Sequence, residues 1–229
     1  STKVKLWDPS APIRKSAMQE HHITVPKTAR YFTLGQIHSE LRQIWFVCHG
    51  YGQLAARFLE SFEVLNDGSR LIVAPEGLSR YYADHAAGDI GASWMTREDR
   101  HAEIDDYVRY LDMLHDRVVA QLDLSSIQTF ALGFSQGAAA ISRWITGGHV
   151  EIDRVVFWGG PLPSDLDDSV RGDKFRQRVT LVLGERDWWI DRPKAAELEL
   201  QLRERKIAYR KVTFDGGHAL DQQVLLSIA

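Results

Sequence analysis

Ser135 stands at the centre of Gly133-Phe134-Ser135-Gln136-Gly137, a Gly-x-Ser-x-Gly pentapeptide where an apolar run gives way to an alanine-rich one. Residues 127–132 read as a buried strand, and residues 138–145 as a helix ending near Gly147-Gly148. A serine at so sharp a turn takes strained backbone angles, and Gly133 and Gly137 leave room for strand and helix to approach closely. The hydroxyl is thereby presented outward at the start of a helix. It is a poor nucleophile at neutral pH unless a base removes its proton, so the chemistry requires a histidine and an acid that orients it.

Both types follow downstream. The β-like run Val179-Thr180-Leu181-Val182-Leu183-Gly184 leads into Glu185-Arg186-Asp187, and residues 208–214 lead into Asp215-Gly216-Gly217-His218. The order is Ser135, Asp187, His218. Upstream, the strand-like run Gln43–Cys48 ends in His49-Gly50-Tyr51-Gly52. Attack on a carbonyl builds negative charge on its oxygen, which backbone N–H groups held in a water-poor site stabilise. The main-chain N–H groups of Tyr51 and of Gln136, the residue after the nucleophile, are assigned to that task.

Positioning these loops requires a sheet whose strand ends face one crevice. Segments 43–48, 70–74, 127–132, 154–158, 179–183 and 208–214 read as strands. Helices are expected at about 54–66, 98–121, 136–146 and 193–205. Strands alternating with helices specify a mostly parallel α/β sheet covered by helices on both faces. In such a sheet, loops past the carboxyl ends of strands converge. Residues 23–25 and 30–35, around Pro26-Lys27, read as a hairpin forming an antiparallel N-terminal edge. The long helix carries Ile104, Val108, Leu111, Leu114 and Val118 on one face, and Thr96–Arg100 reads as its cap and first turn.

Taken together and in order, His49-Gly50-Tyr51-Gly52, Ala74-Pro75-Glu76-Gly77, Trp94, the Ser135 pentapeptide, Gly184-Glu185-Arg186-Asp187 and Gly216-Gly217-His218 resemble the phospholipase/carboxylesterase family of α/β-hydrolases, acyl-protein thioesterase-like enzymes included. The resemblance runs from about Gln43 to the end. It implies the α/β-hydrolase fold and a serine hydrolase acting on carboxylic esters or thioesters through Ser135, Asp187 and His218, without a cofactor. It also selects Asp187 as the acid, three residues past the glycine that ends the strand. Asp215 is the main rival, Glu185 lies two residues earlier, and Asp191 before Arg192-Pro193 reads as a helix N-cap. Trp188-Trp189 depart from the smaller residues expected after the acid. No acyl-chain tunnel is recognisable between Gly77 and Trp94.

The substrate signal is aromatic. Tyr81, Tyr82, Trp94, Trp188 and Trp189 are expected to rim the crevice as a mostly apolar acyl or alcohol pocket, although Trp94 reads equally well as core. His49 reads as a support of its loop rather than a base. His21 and His22 would point to opposite faces of a strand, a poor metal pair, and Asp84-His85 with Asp89 reads as a solvated loop, so no metal site is assigned.

Composition fits one enzyme domain over residues 1–229. With 28 basic and 31 acidic residues, a net charge of −3 and no block of like charge, nucleic acid is not an expected partner. No apolar stretch is long enough to span a membrane. The N-terminal residues 1–9 lack a signal-peptide core, which gives a cytoplasmic expectation. Cys48, the one cysteine, rules out an intramolecular disulfide and reads as a buried thiol. A serine peptidase or amidase, or a non-catalytic binding protein, is the alternative on the same fold.

Overall fold

A computed structural model describes residues 18–120, 122–166, 175 and 178–229. The N-terminal stretch 1–9 and the expected helix end at residue 121 lie outside the described residues. In chain order the elements are β1 (Tyr31–Leu34), β2 (Gln43–Cys48), α1 (Ala55–Glu60), β3 (Arg70–Pro75), β4 (Ser79–Asp84), β5 (Asp89–Ser93), α2 (Arg100–Val119), β6 (Gln128–Phe134), α3 (Gln136–Gly147), β7 (Arg154–Trp158), β8 (Arg178–Gly184), α4 (Arg192–Glu204), β9 (Tyr209–Phe214) and α5 (Gln222–Ile228).

Seven strands form one sheet in the order β1-β3-β2-β6-β7-β8-β9, with β1 antiparallel and the others parallel. Strand alternation divides its core. Ile44, Phe46, Ala131, Val155, Phe157 and Leu181 face one cluster with residues of α2, α3 and α4, while Trp45, Val47, Phe130, Val156, Trp158 and Val182 face the other with α1 and α5. Both faces are therefore apolar, as a sheet covered on both sides requires. Trp45 and Phe130 are register partners whose rings stack 4.0 Å apart.

The antiparallel edge comes from β1 alone. The expected hairpin partner is not a strand: residues 18–30 are irregular, and Ile23 is 86% exposed. Pro26 lacks the N–H that a ladder needs, and β1 finds its partner in β3 instead. The expected helix 54–66 divides into α1 and a 3₁₀ turn at Glu63–Leu65. The buried stripe of α2 is Tyr107, Leu111, Leu114, His115 and Val118, with Ile104 and Val108 at its margin. Two elements lie beyond the expected map: the two-stranded β4–β5 hairpin and α5, whose N-cap Asp221 accepts a bond from Val224 N–H at 2.9 Å.

One carboxylate ties the edge strand, the hairpin and α1 together. Glu76, 2% exposed, accepts from Arg30 Nε at 2.7 Å, from an Arg80 guanidinium nitrogen at 3.2 Å and from Ala55 N–H at 3.2 Å. Burial alone would raise its pKa; the Arg30 and Ala55 bonds outweigh that and hold it below its ordinary value. A depressed pKa contributes stability above the ordinary value of 4.5 and loses it as pH falls through the folded value. Glu76→Gln is expected to cost about 2 kcal/mol at pH 7. In urea unfolding followed across pH, the gap between parent and variant should shrink below about pH 4.5; a gap that stays constant to pH 3 would contradict the assignment.

Candidate active site

The centre of the site is one residue joining β6 to α3. Ser135 sits at φ 53° and ψ −117°, a conformation that L side chains rarely adopt, and its N–H donates to Trp158 O at 2.9 Å. The flanking glycines are demanded by packing. A Cβ on Gly133 would lie 2.2 Å from Gly137 O, and one on Gly137 would lie 2.1 Å from Cys48 O. The end of β2, the end of β6 and the first turn of α3 thus meet backbone to backbone, at van der Waals limits that no other residue satisfies. Cys48 itself is fully buried, and burial pushes its thiol pKa up.

Asp187 and His218 meet from the ends of β8 and β9. Asp187 Oδ2 lies 2.7 Å from His218 Nδ1, and its other oxygen accepts from the Trp189 and Ile190 N–H groups at 2.8 and 3.0 Å. Asp187 is 6% exposed. Because a carboxylate accepts, the contact sets the proton on Nδ1 and leaves Nε2 with its lone pair. The loops are held by Arg186 N–H to Gly216 O at 2.9 Å and by Trp158 Nε1 to Ala219 O at 3.0 Å. The His218 ring lies 4.8 Å from that of Phe134, the residue before Ser135. No hydrogen bond joins Ser135 Oγ to His218 among those of the described residues. Such contacts often tighten only around substrate. The rival acids are engaged elsewhere: Asp215 pairs with Arg186 at 2.9 Å, Glu185 accepts from Thr213 at 3.2 Å, and Asp191 caps α4.

The loop after β2 presses on the serine, since a Cβ on Gly50 would lie 3.2 Å from that of Ser135. Gly50, Gly52 and Gln53 N–H groups are satisfied by Gln53 Oε1, Ala92 O and Gly50 O. Tyr51 and Gln136 N–H groups have no partner among the described residues. His49 lies beneath them, fully buried, donating from Nδ1 to Gly50 O at 2.8 Å and accepting at Nε2 from Gly77 N–H at 3.0 Å. Burial lowers its pKa, which suits the neutral ring that these bonds need.

The aromatic residues separate into groups. Tyr81 stacks on Tyr51 at 5.4 Å, while the Trp188 and Trp189 rings meet at a tilt with centres 4.6 Å apart, Trp189 lying 6.3 Å from His218. Tyr82 is directed to the opposite face of its strand, where its ring meets that of His85 at a tilt with centres 4.5 Å apart, because adjacent strand residues alternate. Trp94 is core: 2% exposed, it donates from Nε1 to His49 O at 2.8 Å. The Gln136 side chain adds a link that the sequence did not suggest, donating to Met95 O at 2.9 Å and accepting from Trp94 N–H at 3.1 Å, which ties α3 to the end of the hairpin. At the exposed surface, Glu20, His22 and Asp99 gather ligand atoms within 4.8 Å of one another.

Solved structures share this architecture. A carboxylesterase from Mesorhizobium loti aligns with a TM-score of 0.68 at 16% identity over 87% of this chain and 93% of its own. A Bacillus cereus carboxylesterase aligns at 0.64 and 14% identity over 87% and 91%, and Zea mays acyl-protein thioesterase 2 at 0.62 and 14% over 88% and 96%. No protein-family model and no curated protein matches the sequence. The chain therefore has the α/β-hydrolase fold, the fold of these carboxylesterases and thioesterases. None of the described helices is long and apolar enough to cross a membrane.

The glycine packing at Ser135 gives a direct test. Gly137→Ala should cost about 3 kcal/mol by overpacking, whereas Gly147→Ala, whose added methyl meets nothing within 4 Å, should leave the urea midpoint unchanged or slightly raised. Equal midpoints for the two variants would contradict the close approach.

Proposed function

We propose that the chain is a serine hydrolase that cleaves carboxylic esters, thioesters included, through Ser135, His218 and Asp187. The observation that carries this reading is the 2.7 Å bond that His218 Nδ1 donates to the buried Asp187 carboxylate, which leaves Nε2 free to act as a base, while Ser135 stands on a strained strand-to-helix turn. Ser135 Oγ attacks the ester carbonyl as His218 Nε2 takes its proton. The Tyr51 and Gln136 N–H groups, both without a partner among the described residues, hold the oxyanion of the tetrahedral intermediate. His218 then protonates the departing alcohol or thiol, leaving Ser135 acylated. Water, deprotonated by the same nitrogen, releases the acid and restores the hydroxyl. Asp187 keeps the imidazole in the useful tautomer throughout and supports its positive charge. Every group this sequence needs is a residue of the chain, so the reaction calls for no cofactor.

Trp188 and Trp189, 71% and 54% exposed, and the Tyr51–Tyr81 pair are the apolar surfaces beside this chemistry. They suit an apolar acyl or alcohol group laid along an open rim. The esterase and thioesterase neighbours of the fold support a small-molecule ester or thioester as substrate.

Two measurements check these roles. Ser135→Ala should lower kcat for p-nitrophenyl acetate on the order of a millionfold and Asp187→Asn about ten-thousandfold. Assayed against the matching anilide, the parent should prefer the ester; parental turnover by Ser135→Ala, or faster anilide cleavage, would overturn the reading. At the rim, Trp189→Ala should lower kcat/KM for long-chain or aromatic esters about five- to thirtyfold while sparing acetate. Tyr82→Ala, directed elsewhere, should leave the chain-length preference intact.

A further inference from the structure

The far half of the sheet carries a second chemical feature, at the opposite ends of its strands. Arg154, Arg178 and Arg210 lie near the amino-terminal ends of β7, β8 and β9. Register sets Arg154 beside Arg178, and Arg210 beside Thr180, two residues along the same face of β8. With neighbouring strands about 4.8 Å apart, the three side chains leave one face within a patch roughly 10 Å wide. They line a cavity of about 540 Å³ whose apolar surface includes Phe130, Val156 and Ile228. Phe130 is the register partner of Arg154 on β6, and the guanidinium carbon of Arg154 stands 5.7 Å from its ring centre.

Position, rather than the lack of a carboxylate partner alone, sets these arginines apart: they stand on one face of three adjacent strands. Arg30, Arg70, Arg100, Arg143 and Arg186 each face a carboxylate. Arg154, Arg178 and Arg210 face none among the described residues. Like charges directly opposite on neighbouring strands repel, and Arg154 Nε is shut off from solvent without an acceptor. A buried charged donor left unmade is among the costlier defects of a fold. An anion bound between the three side chains would remove both penalties at once.

We propose that this cavity is a binding site for a small organic phosphate. Three guanidinium groups answer a dianion better than a monocarboxylate, and their planar forks match phosphate oxygens. The cavity exceeds what an inorganic phosphate fills, and Phe130, Val156 and Ile228 offer the remaining surface to an apolar substituent. Phe130 precedes Ser135 by five residues on one strand, about 16 Å, so the site is separate from the candidate active site and independent of its chemistry.

Titration calorimetry at constant ionic strength, with phenyl phosphate, inorganic phosphate and benzoate as probes, tests the site. Phenyl phosphate should bind saturably with one-to-one stoichiometry, about tenfold or more tighter than either of the others. Arg154→Gln and Arg178→Gln should each weaken it about tenfold or more. Arg210→Gln, an exposed change on the edge strand, carries the same expectation should the others impair folding. The proposal is overturned if phenyl phosphate fails to saturate, if benzoate or inorganic phosphate binds as tightly, or if the folded arginine variants bind it as the parent does.

Discussion

The chain reverses from β6 into α3 within a single residue, and the tightness of that reversal governs the site. Gly133, Gly137 and the carbonyl of Cys48 leave no room for a side-chain carbon between them. The serine is consequently held at a positive φ. The strain is borne by the surrounding packing: Trp45, Phe130 and Trp158 on one face of the sheet, Phe46, Phe157 and Trp144 on the other. A site built this way is as rigid as the core beneath it.

Around that fixed point the remaining groups arrive on loops, each restrained by bonds to its neighbours. Asp187 spends one oxygen on two backbone N–H groups and the other on His218, so the carboxylate is directed before any substrate arrives. The loop bearing Tyr51 rests on buried, neutral His49, which in turn rests on Gly77 N–H. Glu76, next to it, gathers Arg30, Arg80 and the start of α1. The polar network under the loop thus belongs to the same rigid scaffold as the glycine contact.

Much of this was legible in the sequence, for physical reasons that also explain the rest. Apolar runs such as Gln43–Cys48 and Arg154–Trp158 are strands because both sides of each are buried, and their boundaries follow the composition closely. Gly-x-Ser-x-Gly was readable because backbone contact admits few alternatives. Within Glu185-Arg186-Asp187 only family resemblance singles out Asp187; the bond to His218 depends on how two loops cross, which no local pattern encodes. The β4–β5 hairpin leaves no strand signal in the sequence because Ser79–Asp84 is largely exposed and lacks an apolar alternation. Segment 23–25 carries a strand's composition but forms none, because a β-rich triplet needs a partner strand, and Pro26 and β3 deny it one. Seven-residue α5 left a faint signal, Asp221 as cap and Val224, Leu225 and Ile228 at helical spacing. Trp94 and Tyr82 show the limit for side chains: both lie in the expected stretch, but burial takes one and strand alternation turns away the other.

The central claim is that this fold delivers the imidazole of His218 to the hydroxyl of Ser135. A crystal structure of the protein after reaction with a fluorophosphonate tests it most directly. The account predicts phosphorus bonded to Ser135 Oγ, one phosphonyl oxygen within about 3.1 Å of the Tyr51 and Gln136 nitrogens, and His218 Nε2 within about 3.2 Å of an adduct oxygen. An unmodified Ser135 under saturating reagent, or an adduct with His218 directed away from it, would contradict the account.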